Sequence, residues 1–246
     1  MDKGYIAPED ALKKLRVAKG LGQAVYIYGA TGYGKTELVR QYLSRRRYHY
    51  ISCAEDAAGL METAETAQEA ASHSSGKEKE AQPRTVMVVD DMHLLKNAEG
   101  RKAVLSLAGR QDVWFILICR SPIPAWLMPL YIKGGFLVIT EDDLRLGEKE
   151  IAAYMDSQGL TATEEEVAFV AVRSQGNAYT VRHTALKMLE GMRPGPEMAE
   201  EIVEAFAAYL ESHVMVQWDS DLLEFLMQIS VTDEFTLPLA EMVTGN

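Results

Sequence analysis

The sequence contains little that is typical of secreted, membrane-spanning or zinc-binding proteins. It has only two cysteines, Cys53 and Cys119, and they form no C-x-x-C pattern, so a disulfide framework is not expected. Its five histidines lack the spacing of zinc ligands. The chain shows no charged-then-apolar signal at its start, and no apolar run approaches the roughly 20 residues that span a bilayer. We therefore expect a reduced, cytoplasmic protein with no membrane segment.

Basic residues are also scarce. Lys and Arg number 25 against 36 Asp and Glu, which gives a formal net charge of −11, and such a chain repels nucleic acid on average. The one dense basic run is residues 45–47. We expect it at the end of a helix, where the dipole favours cations, rather than in a nucleic-acid patch. We therefore do not expect this chain itself to bind nucleic acid.

What the sequence does contain is a complete phosphate-binding motif. Residues 29–36 read Gly-Ala-Thr-Gly-Tyr-Gly-Lys-Thr, which matches G-x-x-x-x-G-K-[ST]. An apolar run of strand length, residues 24–28, precedes the motif, and apolar residues recur at helical spacing over residues 37–43. Strand, glycine-rich loop and helix are the context that the motif requires. The competing interpretation is a glycine-rich turn that binds nothing.

Each residue type in this motif has a physical role. The glycines allow backbone N–H groups to approach phosphate oxygens, and the following helix directs its positive end at the same oxygens. Lys35 is expected to reach the β- and γ-phosphates, and the Thr36 hydroxyl is expected to hold Mg²⁺. The predicted nucleotide-binding residues are Gly29, Ala30, Thr31, Gly32, Tyr33, Gly34, Lys35, Thr36 and Glu37.

Two carboxylates follow a second predicted strand. Residues 86–89 are all apolar, and Asp90 and Asp91 stand where that strand would end. Because open α/β sheets bind ligands at the carboxyl ends of their strands, Asp90 is predicted to hold Mg²⁺, directly or through water. Asp91 is predicted to orient or deprotonate the attacking water. The alternative is a solvated acidic strand end.

An arginine follows a third predicted strand. Residues 114–119 are apolar and Arg120 comes next. A cation there could sense the γ-phosphate and stabilise charge during transfer, or it could be a surface arginine paired with an acid. A fourth strand is predicted at residues 136–140, whereas the polar residues 72–80 are predicted to form a mobile loop or a frayed helix.

After residue 140 the pattern is wholly helical. Thr163 and Glu166 form a capping-box signature. Three residues of this region are candidates to touch base or phosphate, or else are ordinary cap and surface residues: Asn177, Tyr179 and Arg182. The predicted fold class is therefore α/β, a P-loop NTPase with a parallel sheet flanked by helices, followed by an all-α helical domain.

These motifs, in this order, resemble the ATPase module of the large MalT-like, LuxR-type transcriptional regulators of the STAND class. The resemblance rests on residues 29–38, on Val88-Val89-Asp90-Asp91-Met92-His93, on residues 116–124 with Cys119-Arg120-Ser121, and on residues 134–154. Residues 225–245 are similar to the start of that family's winged-helix part. One departure is Gly176-Asn177-Ala178, which stands where the family has Gly-x-Pro.

The resemblance implies three regions and a switching function. The three regions are a nucleotide-binding domain over residues 1–144, a helical lid-type domain over 145–195, and the start of a winged-helix-like unit over 196–246. Because the last unit is only begun, we expect a fragment of a longer regulator rather than a short natural protein. The resemblance also implies ATP- and ADP-bound states that differ in domain arrangement, with self-association or a partner protein in the ATP state.

Two functional hypotheses follow. In the first, ATP and Mg²⁺ bind at Gly29 to Thr36, and Lys35, Asp91 and Arg120 carry slow hydrolysis that controls the switch. In the second, the chain holds ADP as a protein-interaction scaffold with little turnover. A metabolic kinase is a weaker third interpretation, because no second substrate pocket is apparent from the sequence.

Overall fold

A computed structural model describes residues 4–54, 59, 85–110, 112–232 and 234–245. Its strands form one five-stranded sheet in the order β2-β3-β4-β1-β5, with every neighbouring pair parallel. The strands are β1 (Ala24–Tyr28), β2 (His49–Ser52), β3 (Thr85–Asp90), β4 (Val113–Cys119) and β5 (Phe136–Ile139). The loop or frayed helix predicted over residues 72–80 lies outside the described residues.

Helices flank the sheet and then continue without strands. Among the described residues up to 194, the α-helices with given bounds are α1 (Glu9–Leu21), α2 (Lys35–Tyr42), α3 (Ala98–Ala108), α4 (Met128–Ile132), α5 (Glu141–Leu144), α6 (Glu148–Ser157), α7 (Glu164–Ser174) and α8 (Ala178–Leu189). The predicted capping box is confirmed, because Thr163 and Glu166 exchange hydrogen bonds at the start of α7. The predicted α/β class with a following helical region is thus the observed one.

Alternation along each strand places the core on both faces of the sheet. In β4, Trp114, Ile116 and Ile118 pack on one face, where α1 and α2 cover the sheet. Phe115 and Leu117 pack on the other face, where α3 supplies the covering residues. Because successive side chains of a strand point to opposite faces, the uninterrupted apolar run of β4 is what a strand buried on both faces requires.

Parallel pairing brings all carboxyl ends of the strands to one edge. The register pairs Tyr28 at the end of β1 with Cys119 at the end of β4, and Ser52 at the end of β2 with Asp90 at the end of β3. The glycine-rich loop, the two aspartates and Arg120 therefore all leave the sheet at this edge. This topology positions the candidate site.

The chain divides into two compact units, residues 1–194 and residues 195–246. The second contains α9 (Pro196–His213), α10 (Ser220–Ile229) and α11 (Leu237–Thr244), and no strand among its described residues. Its assignment to a winged-helix-like unit, like the three-part division of the chain, stays a prediction. None of the helices in the described ranges is both long and apolar enough to cross a membrane.

Candidate functional site

The phosphate-binding loop joins the end of β1 to the start of α2. Gly32 and Gly34 have φ angles of +86° and +70°, a region that residues with a Cβ rarely adopt. Gly34 directly precedes α2, and because it has no side chain it cannot accept hydrogen bonds from the first amides of that helix. Free amides at the positive end of a helix form a binding site for an anion.

Lys35 is the first residue of α2 and is buried, with 9% of its surface exposed. Its Nζ donates a hydrogen bond to the carbonyl oxygen of Ala30 at 2.7 Å. Burial, and then the nearby charge of Arg120, lower the pKa of Lys35 from its ordinary value of 10.5 to about 8. Cations from α2 and from the residue after β4 therefore lie close enough to repel each other, and an anion near both would relieve this repulsion.

Asp90 lies beside the loop as the sequence predicts. Its Oδ2 accepts a hydrogen bond from the Thr36 hydroxyl at 2.6 Å, and its Oδ1 accepts one from the backbone N–H of Asp91 at 2.8 Å. The Tyr50 hydroxyl of β2 donates a further bond to Oδ2 at 2.8 Å. With only 4% of its surface exposed, this carboxylate is fixed by three donors.

Thr36 and Asp90 fit a magnesium ion. They supply oxygen atoms, which hard cations prefer. Because the Thr36 hydroxyl donates its hydrogen bond to Asp90, the lone pairs of Oγ1 stay available. Among the described residues no group of three or more His, Cys, Asp or Glu side chains could hold a metal by itself. Mg²⁺ in nucleotide sites is held by one or two protein oxygens together with phosphates, so the site suits an ion that arrives with a nucleotide.

Asp91 has a backbone conformation that separates its side chain from that of Asp90. Its φ and ψ are 53° and 35°, in the left-handed region, which Asp and Asn adopt more readily than other residues with a Cβ. Its Oδ2 accepts a hydrogen bond from the Ser52 hydroxyl at 3.1 Å. The left-handed turn is the physical reason why adjacent aspartates can have different partners at the same strand end.

Glu141, two residues after the end of β5, contacts the beginning of the loop. Its Oε2 accepts a hydrogen bond from the backbone N–H of Ala30 at 2.8 Å, and its Oε1 lies 3.5 Å from the Arg145 guanidinium. Tyr33 of the loop is buried in the core, where burial raises its pKa. Glu37 accepts a hydrogen bond from Gln41 within α2. The Glu141 contact thus holds the beginning of the loop, and the Tyr33 side chain anchors the loop to the core.

The helical region also contacts the loop. Asn177 precedes α8, and its Oδ1 accepts a hydrogen bond from the Thr180 N–H, as an N-cap does. Its Nδ2 donates to the carbonyl oxygen of Thr31 at 3.1 Å. The backbone N–H of Tyr179 donates to the Gly32 carbonyl at 3.0 Å, whereas Arg182 is exposed and its charge acts on Tyr154. The cap interpretation of Asn177 is therefore right, and the loop contact is additional to it.

Three residues of the site were not predicted from the sequence: Tyr50, Ser52 and Glu141. Ser52 ends β2, and Glu141 follows β5 with one residue between, so the rule that ligands bind at carboxyl ends of parallel strands could have indicated both. Tyr50 lies inside β2 and had no comparable signal, because the strand order was not predicted.

No protein-family model matches the sequence, and no curated protein matches it. Among solved structures, a Walker-type ATPase of Pyrococcus abyssi is similar with a TM-score of 0.59 and 13% identity, over 98% of this chain and 88% of that one. A point variant of RuvB from Thermotoga maritima has a TM-score of 0.53 and 16% identity, over 98% and 83%. The fold is that of a P-loop NTPase.

A third similar structure is a signal transduction ATPase with numerous domains from Pyrococcus horikoshii, which carries a tetratricopeptide repeat sensor. Its TM-score is 0.55 and its identity 14%, over 99% of this chain and 37% of that chain. At such identities the likeness extends to the fold alone.

Proposed function

We propose that this chain is an ATP-binding signalling switch, the ATPase module of a LuxR-type transcriptional regulator of the STAND class. The observation that carries the proposal is the pair of hydrogen bonds from the start of α8 to the Thr31 and Gly32 carbonyls. These hydrogen bonds connect the helical region to the loop that would hold the phosphates. A change in the loop conformation on nucleotide binding or hydrolysis would therefore change the hydrogen bonds that hold α8.

The chemistry we propose is slow, magnesium-dependent hydrolysis of ATP. Lys35 would bind the β- and γ-phosphates, and Thr36 and Asp90 would hold Mg²⁺, which neutralises charge on the phosphate oxygens when it is bound. Asp91 would orient the attacking water, and Arg120 would stabilise charge on the γ-phosphate. The charge of Arg120, which contributes to the lowered pKa of Lys35, supports this, since two mutually repelling cations favour a polyanionic ligand.

The output we propose is self-association, or binding of a partner protein, in the ATP state. Support comes from the resemblance of the sequence motifs to STAND-class regulators, which implies self-association or a partner protein in the ATP state. Any contact with DNA would use a module outside the chain described here. The net charge of −11 agrees with this division, because an acidic chain repels the phosphate backbone.

The second candidate is a scaffold that holds ADP and turns over little. One observation favours it: the Ser52 hydroxyl donates a hydrogen bond to Asp91 Oδ2, so part of the accepting capacity of that carboxylate serves the neighbouring strand end rather than a water. Tightly bound ADP in the purified protein, together with hydrolysis no faster than in the Asp91→Asn variant, would support the scaffold over the switch.

Calorimetric titration with ATP and Mg²⁺ tests the nucleotide site. The wild type should bind, and Lys35→Ala should lose binding while keeping its fold, because the Lys35 ammonium group contacts the loop and not the apolar core. Lys149→Ala is the matched control, since that side chain is 86% exposed. Retained ATP affinity in Lys35→Ala would contradict the assignment.

A further inference from the structure

Tyr50 lies outside every motif of the site, yet its hydroxyl reaches the carboxylate proposed to hold the metal. It donates to Asp90 Oδ2 at 2.8 Å, the same oxygen that accepts the Thr36 hydroxyl at 2.6 Å. A carboxylate can only accept hydrogen bonds, so the phenol is the donor in this contact.

A second contact fixes the Tyr50 ring. The Arg40 guanidinium carbon lies 5.3 Å from the ring centroid, within the distance of a cation–π interaction. Arg40 follows Thr36 by four residues on α2, so the two side chains project from the same side of that helix. The contacts Thr36–Asp90, Asp90–Tyr50 and Tyr50–Arg40 thus begin and end on α2 and join that helix to β3 and β2.

We propose that Tyr50 is a positioning residue of the metal site, which fixes the Asp90 carboxylate beside Thr36 so that both oxygens are placed for a divalent cation. The inference rests on the proposed function, since the cation would arrive with a nucleotide. It assigns to β2 the role of fixing the Asp90 carboxylate through the Tyr50 hydroxyl. Partners that orient metal ligands typically contribute about 10- to 100-fold to metal affinity or activity.

The test is the gain in nucleotide affinity that magnesium produces. ADP and ATP are titrated into wild type, Tyr50→Phe and Tyr48→Phe, in buffer with Mg²⁺ and in buffer with EDTA. Tyr50→Phe keeps the ring on Arg40 and removes only the hydroxyl. Tyr48→Phe makes the same change two residues away, where the ring packs against the core beneath α1 and α2.

We expect the increase in nucleotide affinity on adding Mg²⁺ to be about tenfold smaller in Tyr50→Phe than in the wild type, with the affinity in EDTA unchanged. Tyr48→Phe should match the wild type in both buffers. Arg40→Gln, which frees the ring but leaves the hydroxyl, should lose a smaller part of the gain. The thermal midpoint of each variant without nucleotide or Mg²⁺ shows that it is folded. If Tyr50→Phe does not fold, Arg40→Gln decides, and an unchanged gain in that variant overturns the inference.

The outcomes separate this inference from the proposed function. The positioning role would be overturned if magnesium raised the nucleotide affinity of Tyr50→Phe as much as that of the wild type. It would also be overturned if Tyr50→Phe lost the same affinity with and without Mg²⁺. Neither result would contradict the proposed nucleotide binding. A wild type whose affinity does not respond to Mg²⁺ would also overturn it. A wild type that binds neither nucleotide in either buffer would overturn the proposed function itself.

Discussion

The Asn177 side chain donates a hydrogen bond to the Thr31 carbonyl oxygen at 3.1 Å and so joins α8 to the phosphate-binding loop. The same side chain, 5% exposed, caps α8 through Thr180. A Cβ on Gly32 would lie 2.7 Å from the Asn177 Oδ1 atom, which is closer than real Cβ atoms approach. The absence of a side chain at position 32 is therefore a condition for this docking.

Two substitutions at Asn177 separate its cap from its loop contact. Asn177→Asp keeps the capping oxygen but replaces the donor by an oxygen that repels the Thr31 carbonyl, whereas Asn177→Ala removes both. We expect the alanine variant to lose about 1 kcal/mol more stability through the missing cap, and both variants to show altered nucleotide affinity. Urea unfolding and calorimetry measure the two effects. Equal nucleotide affinity in wild type and Asn177→Asp would show that this contact does not couple α8 to the ligand.

Lys35 is predicted to lower the stability of the nucleotide-free protein. Its pKa of about 8 in the folded chain, against 10.5, corresponds to an unfavourable contribution of roughly 3 kcal/mol at pH 7. A Lys35→Met variant would remove this unfavourable contribution, but it would also lose the hydrogen bond to the Ala30 carbonyl oxygen, which offsets about 1 kcal/mol of the gain. Lys35→Met should therefore raise the free energy of unfolding by about 1 to 2 kcal/mol without nucleotide, as urea titration would show, and a destabilised variant would contradict this.

The same pKa shift predicts a pH dependence with a defined sign. Between about pH 8 and 10.5 the unfolded chain holds the Lys35 proton while the folded chain releases it, so the Lys35 contribution to stability rises with pH in this window. Buried groups such as Cys53 titrate there as well. The measurement is therefore the difference between wild type and Lys35→Met, which should shrink as pH rises from 8. A constant difference would show that Lys35 is not buried as a cation.

Arg120 is predicted to distinguish ATP from ADP. If its guanidinium meets the third phosphate, Arg120→Gln should weaken ATP binding by roughly 10- to 100-fold, the range for hydrogen bonds to charged groups. ADP affinity should fall less, because ADP lacks the phosphate that the guanidinium would meet. Calorimetry with both nucleotides measures the difference, and the exposed Arg47→Gln is the control. Equal weakening of ATP and ADP would leave Arg120 a general electrostatic role only.

The parts of the site that lie within one sequence motif were predictable. Gly32, Gly34, Lys35 and Thr36 owe their geometry to a single strand–loop–helix segment, so local spacing suffices to define it. Asp90 was predictable because it combines an apolar strand with the rule for carboxyl ends of parallel sheets. The structure places its carboxylate 2.6 Å from Thr36.

Contacts between segments distant in sequence were not predictable in this way. Tyr50 reaches Asp90 only because β2 is the neighbour of β3, and strand order depends on packing of the whole sheet. Glu141 reaches Ala30 across 111 positions, and Asn177 reaches Thr31 across 146. The spacing of residues within one segment does not indicate which distant segment they will contact. The left-handed backbone of Asp91 was also hidden, since an aspartate adopts that conformation without a distinctive neighbour.

Asp91→Asn tests whether the chain turns over ATP. Asparagine tolerates the left-handed conformation with φ of 53°, and it can still accept the Ser52 hydroxyl, so fold and nucleotide affinity should persist. Its amide cannot take a proton from water, so hydrolysis should fall by about 10²- to 10⁴-fold. Asp91→Ala is a poorer probe, because alanine costs roughly 1 to 2 kcal/mol in that backbone region.

Phosphate release under single-turnover conditions measures the effect, with candidate partner proteins present and absent. Loss of hydrolysis with unchanged ATP affinity supports the switch, because binding and turnover then depend on different residues. Wild-type hydrolysis no faster than that of Asp91→Asn, with partners present, would instead favour the ADP-holding scaffold. In that case Ser52 and Asp91, 3.1 Å apart, would serve the strand ends rather than a reacting water.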